Sequence, residues 1–409
     1  MRLAPSIYRL ALLGALTLGA CAPRVPTPPA APTPVPPPVE KLALEAVGFA
    51  DLPGWSEDRH HEALAAFVTS CRRITAMPSA QGLGGGGIAG NAGDWSEACQ
   101  AANGIGANGA DARRFFEFHF APFRASNDGK AEGLFTGYYE PELRGSRRSS
   151  ARFAVPLYKR PNDLVTVDLG QFRESLRGQT IAGKVSGGAL QPYDNRSRIE
   201  SGALRGKGLE LVWVDDPVEA FFLQVQGSGR VVLEDGRIMR VGYAAQNGHG
   251  YIAIGRVLRD RGLLDPADIS LQTIRAWLRA NPGQAAAMMN ENPSFVFFRE
   301  ITGEGPLGAQ GVALTPGRSL AVDRTHHALG VPVWLVASHP DADASKPDLP
   351  LRRLMIAQDT GGAIRGPVRG DVFWGHGREA EEIAGRMKHQ GVIYLLLPKA
   401  VAEKRRATS

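Results

Sequence analysis

The chain has 409 residues, 43% of them hydrophobic, which is enough for two domains with buried cores. Its formal charge of +6 overstates its basicity, because Arg2 and Arg9 lie in an apolar leader and Lys404, Arg405 and Arg406 sit in a C-terminal tail expected to fray. The body between them is close to neutral and has no basic stripe interleaved with aromatics, which argues against a nucleic-acid partner.

Residues 1–20 read as a signal peptide. Arg2 and Arg9 precede or open an apolar run, Leu10 to Leu18, that is too short to span a membrane as a mature helix. The run ends in Leu18-Gly19-Ala20-Cys21, similar to a bacterial lipobox in which the cysteine is acylated after cleavage. Ala22, rather than Asp, resembles the pattern sorted to the outer membrane. Residues 21–44 form a Pro-rich tether with no means of building a core. At ~3.1 Å per residue, its polyproline stretch reaches on the order of 50 Å. With Cys21 taken by lipid, Cys71 and Cys99 remain, and an exported pair of this kind is expected to form a disulfide.

From 45 to 125 the chain is mainly helical, with Leu64, Phe67, Val68 and Cys71 at helical spacing. GLGGGGIAGNAG (82–93) reads as a flexible loop and lacks the Lys-Ser/Thr of a phosphate loop. DARRFFEFHFAPF (111–123) alternates apolar residues and is expected to enter a strand, its aromatics serving the core. A turn-rich region of short strands follows to Arg240, including AFFLQVQGSGRVVL (220–233). Its Gln-Gly-Ser-Gly is not a nucleophile elbow. Gly242 to Leu258 leads into a helix, and Ser270 to Leu278 forms another. His249, His326, His327 and His339 lack metal-ligand spacing, so no metal is expected. From Gly305 short strands return (GVALTP, SLAVD, VPVWLVA, LRRLMIAQ). Arg378 to His389 places Ala380, Ile383, Ala384 and Met387 on one helical face, and VIYLLL (392–397) is a buried last strand.

The chemistry concentrates between Leu354 and Gly377. The apolar run Leu354-Met355-Ile356-Ala357 ends at Asp359 and turns through Thr360-Gly361-Gly362. A second strand, Val372-Phe373-Trp374, leaves directly from Asp371. Two carboxylates at the ends of adjacent strands, partly buried and alike in charge, can raise one pKa to suit a general acid near neutral pH. Both could equally cap turns.

This stretch resembles the three-aspartate (3D) domain of the membrane-bound lytic murein transglycosylase A family, with Asp323 in SLAVDRTH as the third aspartate. The resemblance continues in FTGYYEP (135–141), FLQVQGSGRV (222–231), GYAAQNGHGYIAIGRVL (242–258) and NPSFVFF (292–298). It implies a mainly β protein with helices. A double-psi β-barrel would be built from residues 45–140 and 303–400, with a smaller barrel-like β-domain inserted at 141–302 and a glycan groove between them. It implies cleavage of the β-1,4 bond between N-acetylmuramic acid and N-acetylglucosamine with a 1,6-anhydro product. Asp371 would be the single general acid/base, Asp359 a pKa-tuning neighbour and Asp323 structural. Thr136, Tyr139, Gln226, Ser228, Asn247 and Tyr251 would face the groove. No cofactor is implied. Peptidoglycan glycan strands, the outer membrane through Cys21, and cell-wall synthesis or division proteins are the implied partners. Two alternatives stay open: an aspartic-type peptidase built on Asp359-Thr360-Gly361, and a cell-wall-binding lipoprotein without turnover.

Overall fold

The computed structural model describes residues 40–408 apart from 107, 177, 178 and 304. The expectations for the signal peptide, Cys21 and most of the tether lie outside them. The first strands are β1 (Leu42–Ala46), β2 (Phe120–Asn127) and β3 (Gly133–Glu140). Then come β4 (Glu142–Ser146), β5 (Val155–Tyr158), β6 (Val165–Asp168), β7 (Thr180–Ser186), β8 (Ala189–Pro192), β9 (Glu210–Val214), β10 (Ser228–Leu233), β11 (Ile238–Gln246) and β12 (Val296–Ile301). The last are β13 (Ser319–Val322), β14 (Pro332–His339), β15 (Leu349–Asp359), β16 (Arg369–His376) and β17 (Lys388–Pro398).

Strands β17, β14, β15, β13, β16 and β3 are hydrogen bonded in that order, and β3 pairs back onto β17. The sheet therefore closes into a six-stranded barrel, the double-psi β-barrel. Its parallel pairs are β13 with β15 and β16 with β3. Leu354–Ala357 and Ile393–Leu397 are unbroken apolar runs because these strands are covered on both faces, by the barrel interior and by helices outside. The His60–Ile74 helix lies on β15. Fully buried Gln358 holds it there, donating to the Ala66 carbonyl and to Ser70 Oγ, each at 2.9 Å. Arg318, also buried, donates to both Asp58 oxygens at 2.8 and 2.9 Å and pairs with Glu62. Losing those partners would leave a bare buried cation, which typically costs several kcal/mol. Cys71 and Cys99 are joined in a disulfide between the His60–Ile74 and Ser96–Ala102 helices.

Several local expectations change. Residues 109–119 form a helix, with Ala112, Phe115 and Phe116 inward at spacings of three and four, and β2 starts only at Phe120. Phe115, Phe116 and Phe120 meet Phe67 in tilted and edge-to-face contacts in the core, whereas Phe118 is 68% exposed. Residues 42–44, assigned above to the tether, are already in β1 and pair with β2. The Gly-rich segment is packed rather than loose, Gly85 being buried against His327 and Ala328. Residues 217–226 form a helix instead of a strand. Asp216 caps it through Val218 N and Glu219 N, Pro217 opens it, and Gly227 closes it at φ 81°, a conformation that favours glycine. GVALTP contributes one isolated bridge, Leu307 to Ala313, and no strand. The C-terminal tail continues as a helix, Lys399–Thr408, anchored by buried Val401 and Ala402.

Between β3 and β13 in sequence, a second sheet runs β12-β11-β10-β4-β9-β5 around Leu157, Val212, Val231, Val241 and Phe298. Its edges meet where Lys159, just past β5, bridges Phe298 in β12. A separate small sheet, β6-β7-β8, lies in the same stretch of sequence. Arg275, on the Leu271–Ala280 helix, fastens this part of the chain to the barrel. It pairs with Glu219 and with Glu381 of the Arg378–Arg386 helix, and donates to the Tyr139 hydroxyl at 3.2 Å.

Candidate active site

Register places the acids. In β13, Ala321 is paired with Asp359 of β15 on one side and with Asp371 of β16 on the other. Asp371 is paired in turn with Thr136 of β3. One row therefore crosses four strands: Asp359, Ala321, Asp371, Thr136. The two acids are not on adjacent strands, as the sequence suggested, because β13 enters between them. Their backbones are about 10 Å apart, two strand spacings. Alternation puts Tyr138 and Phe373 on the same face as Thr136 and Asp371, their rings 5.2 Å apart. Close approach of β3 and β16 needs glycine at 137, where a Cβ would lie 2.7 Å from Trp374 Nε1.

Asp371 is half-buried, and burial pushes its carboxyl above the usual carboxylate range. The Arg369 charge and a 2.6 Å hydrogen bond from Thr136 Oγ1 to Oδ1 pull the other way. Among the described residues Oδ2 has no protein partner, and it is not sealed from solvent. Asp359 is differently placed. Its Oδ1 accepts from the Ala309 and Thr360 amides at 2.8 and 2.9 Å, and its Oδ2 from the Tyr138 hydroxyl at 2.9 Å. Burial still outweighs these bonds and lifts its pKa to about 6, with the Asp371 charge adding to the rise. Tyr138, buried beside both acids, is pushed well above the usual tyrosine range.

Asp323, 2% exposed, follows β13 directly. Burial would raise its pKa, but hydrogen bonds from Gly366 N, Thr325 N and Thr325 Oγ1 hold it below the usual value. Glu40, Asp323 and His326 bring one ligand atom each within 4.8 Å of one another. Both Asp323 oxygens already accept hydrogen bonds, so this trio carries no metal assignment.

The expected sugar contacts separate into two groups. Tyr251 is 38% exposed, and burial raises the pKa of its hydroxyl, with Arg196 opposing the rise and the Asp371 charge adding to it. Gln226 and Ser228 are half-buried at the turn between the Pro217–Gln226 helix and β10, with Gln226 Oε1 accepting from Tyr139 N at 3.1 Å. Asn247 is fully buried. It donates to the Asp194 and Pro293 carbonyls and accepts from Phe295 N and His249 N, so its amide is occupied holding the loop that leads to Tyr251. Tyr139, 3% exposed, is occupied by Arg275 and Glu381. Thr136 serves Asp371. Sequence reasoning passed over Arg369 and Tyr138. The available signal was the two-residue spacing of Arg369 from Asp371 and of Tyr138 from Thr136, which puts each pair on one strand face.

The chain matches two family models, the MltA specific insert domain over residues 134–299 and the 3D domain over residues 318–397. It is 31% identical over 271 residues to membrane-bound lytic murein transglycosylase A of Vibrio cholerae, a match spanning 66% of each chain. The crystal structure of a membrane-bound lytic murein transglycosylase from Agrobacterium tumefaciens superposes with a TM-score of 0.78 at 38% identity, over 88% of this chain and 99% of that one. E. coli MltA with bound chitohexaose gives 0.61 at 25% identity, over 87% and 91%. Both family models fall where the two large sheets lie, and the second covers all three aspartates: the chain is a member of the membrane-bound lytic murein transglycosylase A family.

Proposed function

We propose that the chain cleaves the β-1,4 bond between N-acetylmuramic acid and N-acetylglucosamine in peptidoglycan, forming a 1,6-anhydro ring, with Asp371 as the only general acid/base. The observation that carries this reading is the unequal state of the two raised acids. Asp371 keeps one oxygen open, whereas both oxygens of Asp359 are occupied by Ala309, Thr360 and Tyr138. Ordinary glycoside hydrolysis needs a second working carboxylate, to attack or to activate water. A positioned C6 hydroxyl on the sugar removes that need, since intramolecular attack supplies the nucleophile. Asp371 donates a proton to the glycosidic oxygen, then accepts the C6 hydroxyl proton as the ring closes.

The same geometry weighs against a peptidase dyad, which requires two acids close enough to share one proton. Asp359 instead shapes the field across Ala321, and Tyr251, Gln226 and Ser228 offer polar contacts to the glycan. Anchoring through an acylated Cys21 at the periplasmic face of the outer membrane completes the reading. Among the described residues no helix is long and apolar enough to cross a membrane. Incubating purified murein with the protein and detecting anhydro-muropeptides by mass spectrometry tests the reaction. Ordinary reducing-end products, or peptide fragments, would replace it with hydrolysis or proteolysis.

A further inference from the structure

Arg369 donates through Nη2 to Thr136 Oγ1 at 2.9 Å, and Thr136 Oγ1 stands 2.6 Å from Asp371 Oδ1. A guanidinium has donors only, and a threonine hydroxyl has a single proton. Arg369 takes one of the hydroxyl's lone pairs, and among the described residues Asp371 Oδ1 is the acceptor within reach of the Thr136 proton, which is therefore directed at Oδ1. That oxygen is an acceptor in the protonated acid as well as in the carboxylate. The second terminal nitrogen, Nη1, donates to the Leu134 and Gly370 carbonyls, so the fork is fixed in place.

We propose that Arg369 is a positioning residue: acting through Thr136, it fixes the proton of neutral Asp371 on Oδ2, the open oxygen. The inference rests on the reading of Asp371 as general acid. Two consequences follow. Asp371 presents its proton to the glycosidic oxygen from a single, defined atom. When the proton leaves, the new carboxylate is met by a hydroxyl already aimed at it and by a cation one atom further on, without reorganisation. The other groups that face or feel Asp371 are Asp359 across β13, Tyr138 on β3 and Tyr251 after β11. Arg369 is the cation that acts on Asp371.

The test compares Arg369→Gln, Arg369→Lys, Thr136→Val, Thr136→Ser and the Gln/Val double variant, measuring anhydro-muropeptide release against pH with melting curves alongside. Removing the charge raises the pKa of Asp371, so in Arg369→Gln the alkaline limb moves to higher pH by roughly one unit. Turnover on the acid plateau falls about tenfold, the order of one charge-assisted hydrogen bond. Arg369→Lys and Thr136→Ser, which keep the charge or the hydroxyl, leave the limb close to its original position. In the Thr136→Val background, Arg369→Gln costs little further turnover on the acid plateau, because the link is already cut, while the limb still moves with the lost charge. A limb or plateau unmoved in Arg369→Gln, or additive plateau losses in the double variant, would overturn the relay. Should Arg369→Gln fail to fold, Thr136→Val against Thr136→Ser decides it by the same limb. Asp371→Asn separates the two layers of inference. Activity surviving there removes the general acid itself, whereas an inactive Asp371→Asn with an unmoved limb in Arg369→Gln removes only the relay.

Discussion

Asp323 and Asp371 lie at the same end of one barrel, the first directly after β13 and the second in register with Ala321, two residues earlier on that strand. Both lose water on folding, yet their carboxyls move in opposite directions. Asp323 receives three hydrogen bonds, from Gly366 N, Thr325 N and Thr325 Oγ1, and these outweigh its burial. Asp371 receives one, from Thr136, and burial wins. The balance of burial against donors and neighbouring charge, with Arg365 adding to the donors at Asp323, decides between a carboxylate that holds a loop and an acid that can keep a proton. Asp359 stands between them, with three donors and still a pKa of about 6.

The largest loss is expected at Asp371. Asparagine there keeps the hydrogen bond from Thr136 but neither gives a carboxyl proton nor takes one back. Since one group performs both transfers in the proposed reaction, anhydro-muropeptide release should fall by about 10³–10⁴-fold, the upper end for general acid-base catalysis. Melting temperature should stay near that of the parent. Near-normal turnover in the folded variant would end the mechanism.

At Asp323 the same substitution should act on stability. An asparagine amide places a donor against one of the donors from Gly366 or Thr325, a loss of about 1–3 kcal/mol. The pH dependence has a definite sign. A carboxyl held below its usual 3.8 contributes stability above that pH and loses it as pH falls through its native value. The gap in melting temperature between parent and Asp323→Asn should therefore be widest near neutrality and narrow in acid. A gap independent of pH would mean that Asp323 does not work through its charge.

The sequence carried the barrel's long strands well, because apolar runs such as Leu354–Ala357 and Ile393–Leu397 need two covered faces wherever they occur. It carried the identity of the acids through the motifs around them. Register it could not carry: Asp359 and Asp371 are twelve residues apart with a turn between, a pattern that suits a hairpin, and only the arrival of Ser319–Val322 from elsewhere in the chain separates them. Residues 217–226 were misread because the run Phe221-Phe222-Leu223 is apolar on a strand as well as on a helix. The decisive signals were at its ends, Asp216-Pro217 and Gly227. The groove contacts were legible as residue types but not as free or occupied groups. Asn247 and Tyr139 have suitable chemistry for a sugar, and their hydrogen bonds go to their own chain.

The effect on activity is expected to be modest at Asp359, and it separates an acid that is merely shifted from the one proposed to transfer protons. Folded, Asp359 holds its proton to about pH 6, whereas the unfolded chain releases it near 3.8. Stability from this group is thus present below about pH 4 and is lost as pH rises towards 6, by up to about 3 kcal/mol at 1.36 kcal/mol per unit. Asp359→Asn has no such proton to lose. Urea unfolding at pH 4.5 and pH 7 should show the parent's advantage over the variant shrinking at the higher pH, and parallel curves would count against the burial account. For activity, wherever Asp359 is ionised its like charge opposes ionisation of Asp371, so repulsion between the two predicts that Asp359→Asn moves the alkaline limb to lower pH. With the strands about 10 Å apart and an effective dielectric of about 20, the interaction is worth at most about one pH unit. A limb that moves upward in Asp359→Asn would show that Asp359 supports Asp371 by hydrogen bonding rather than by repulsion, and an unmoved limb would leave burial alone to raise the catalytic acid.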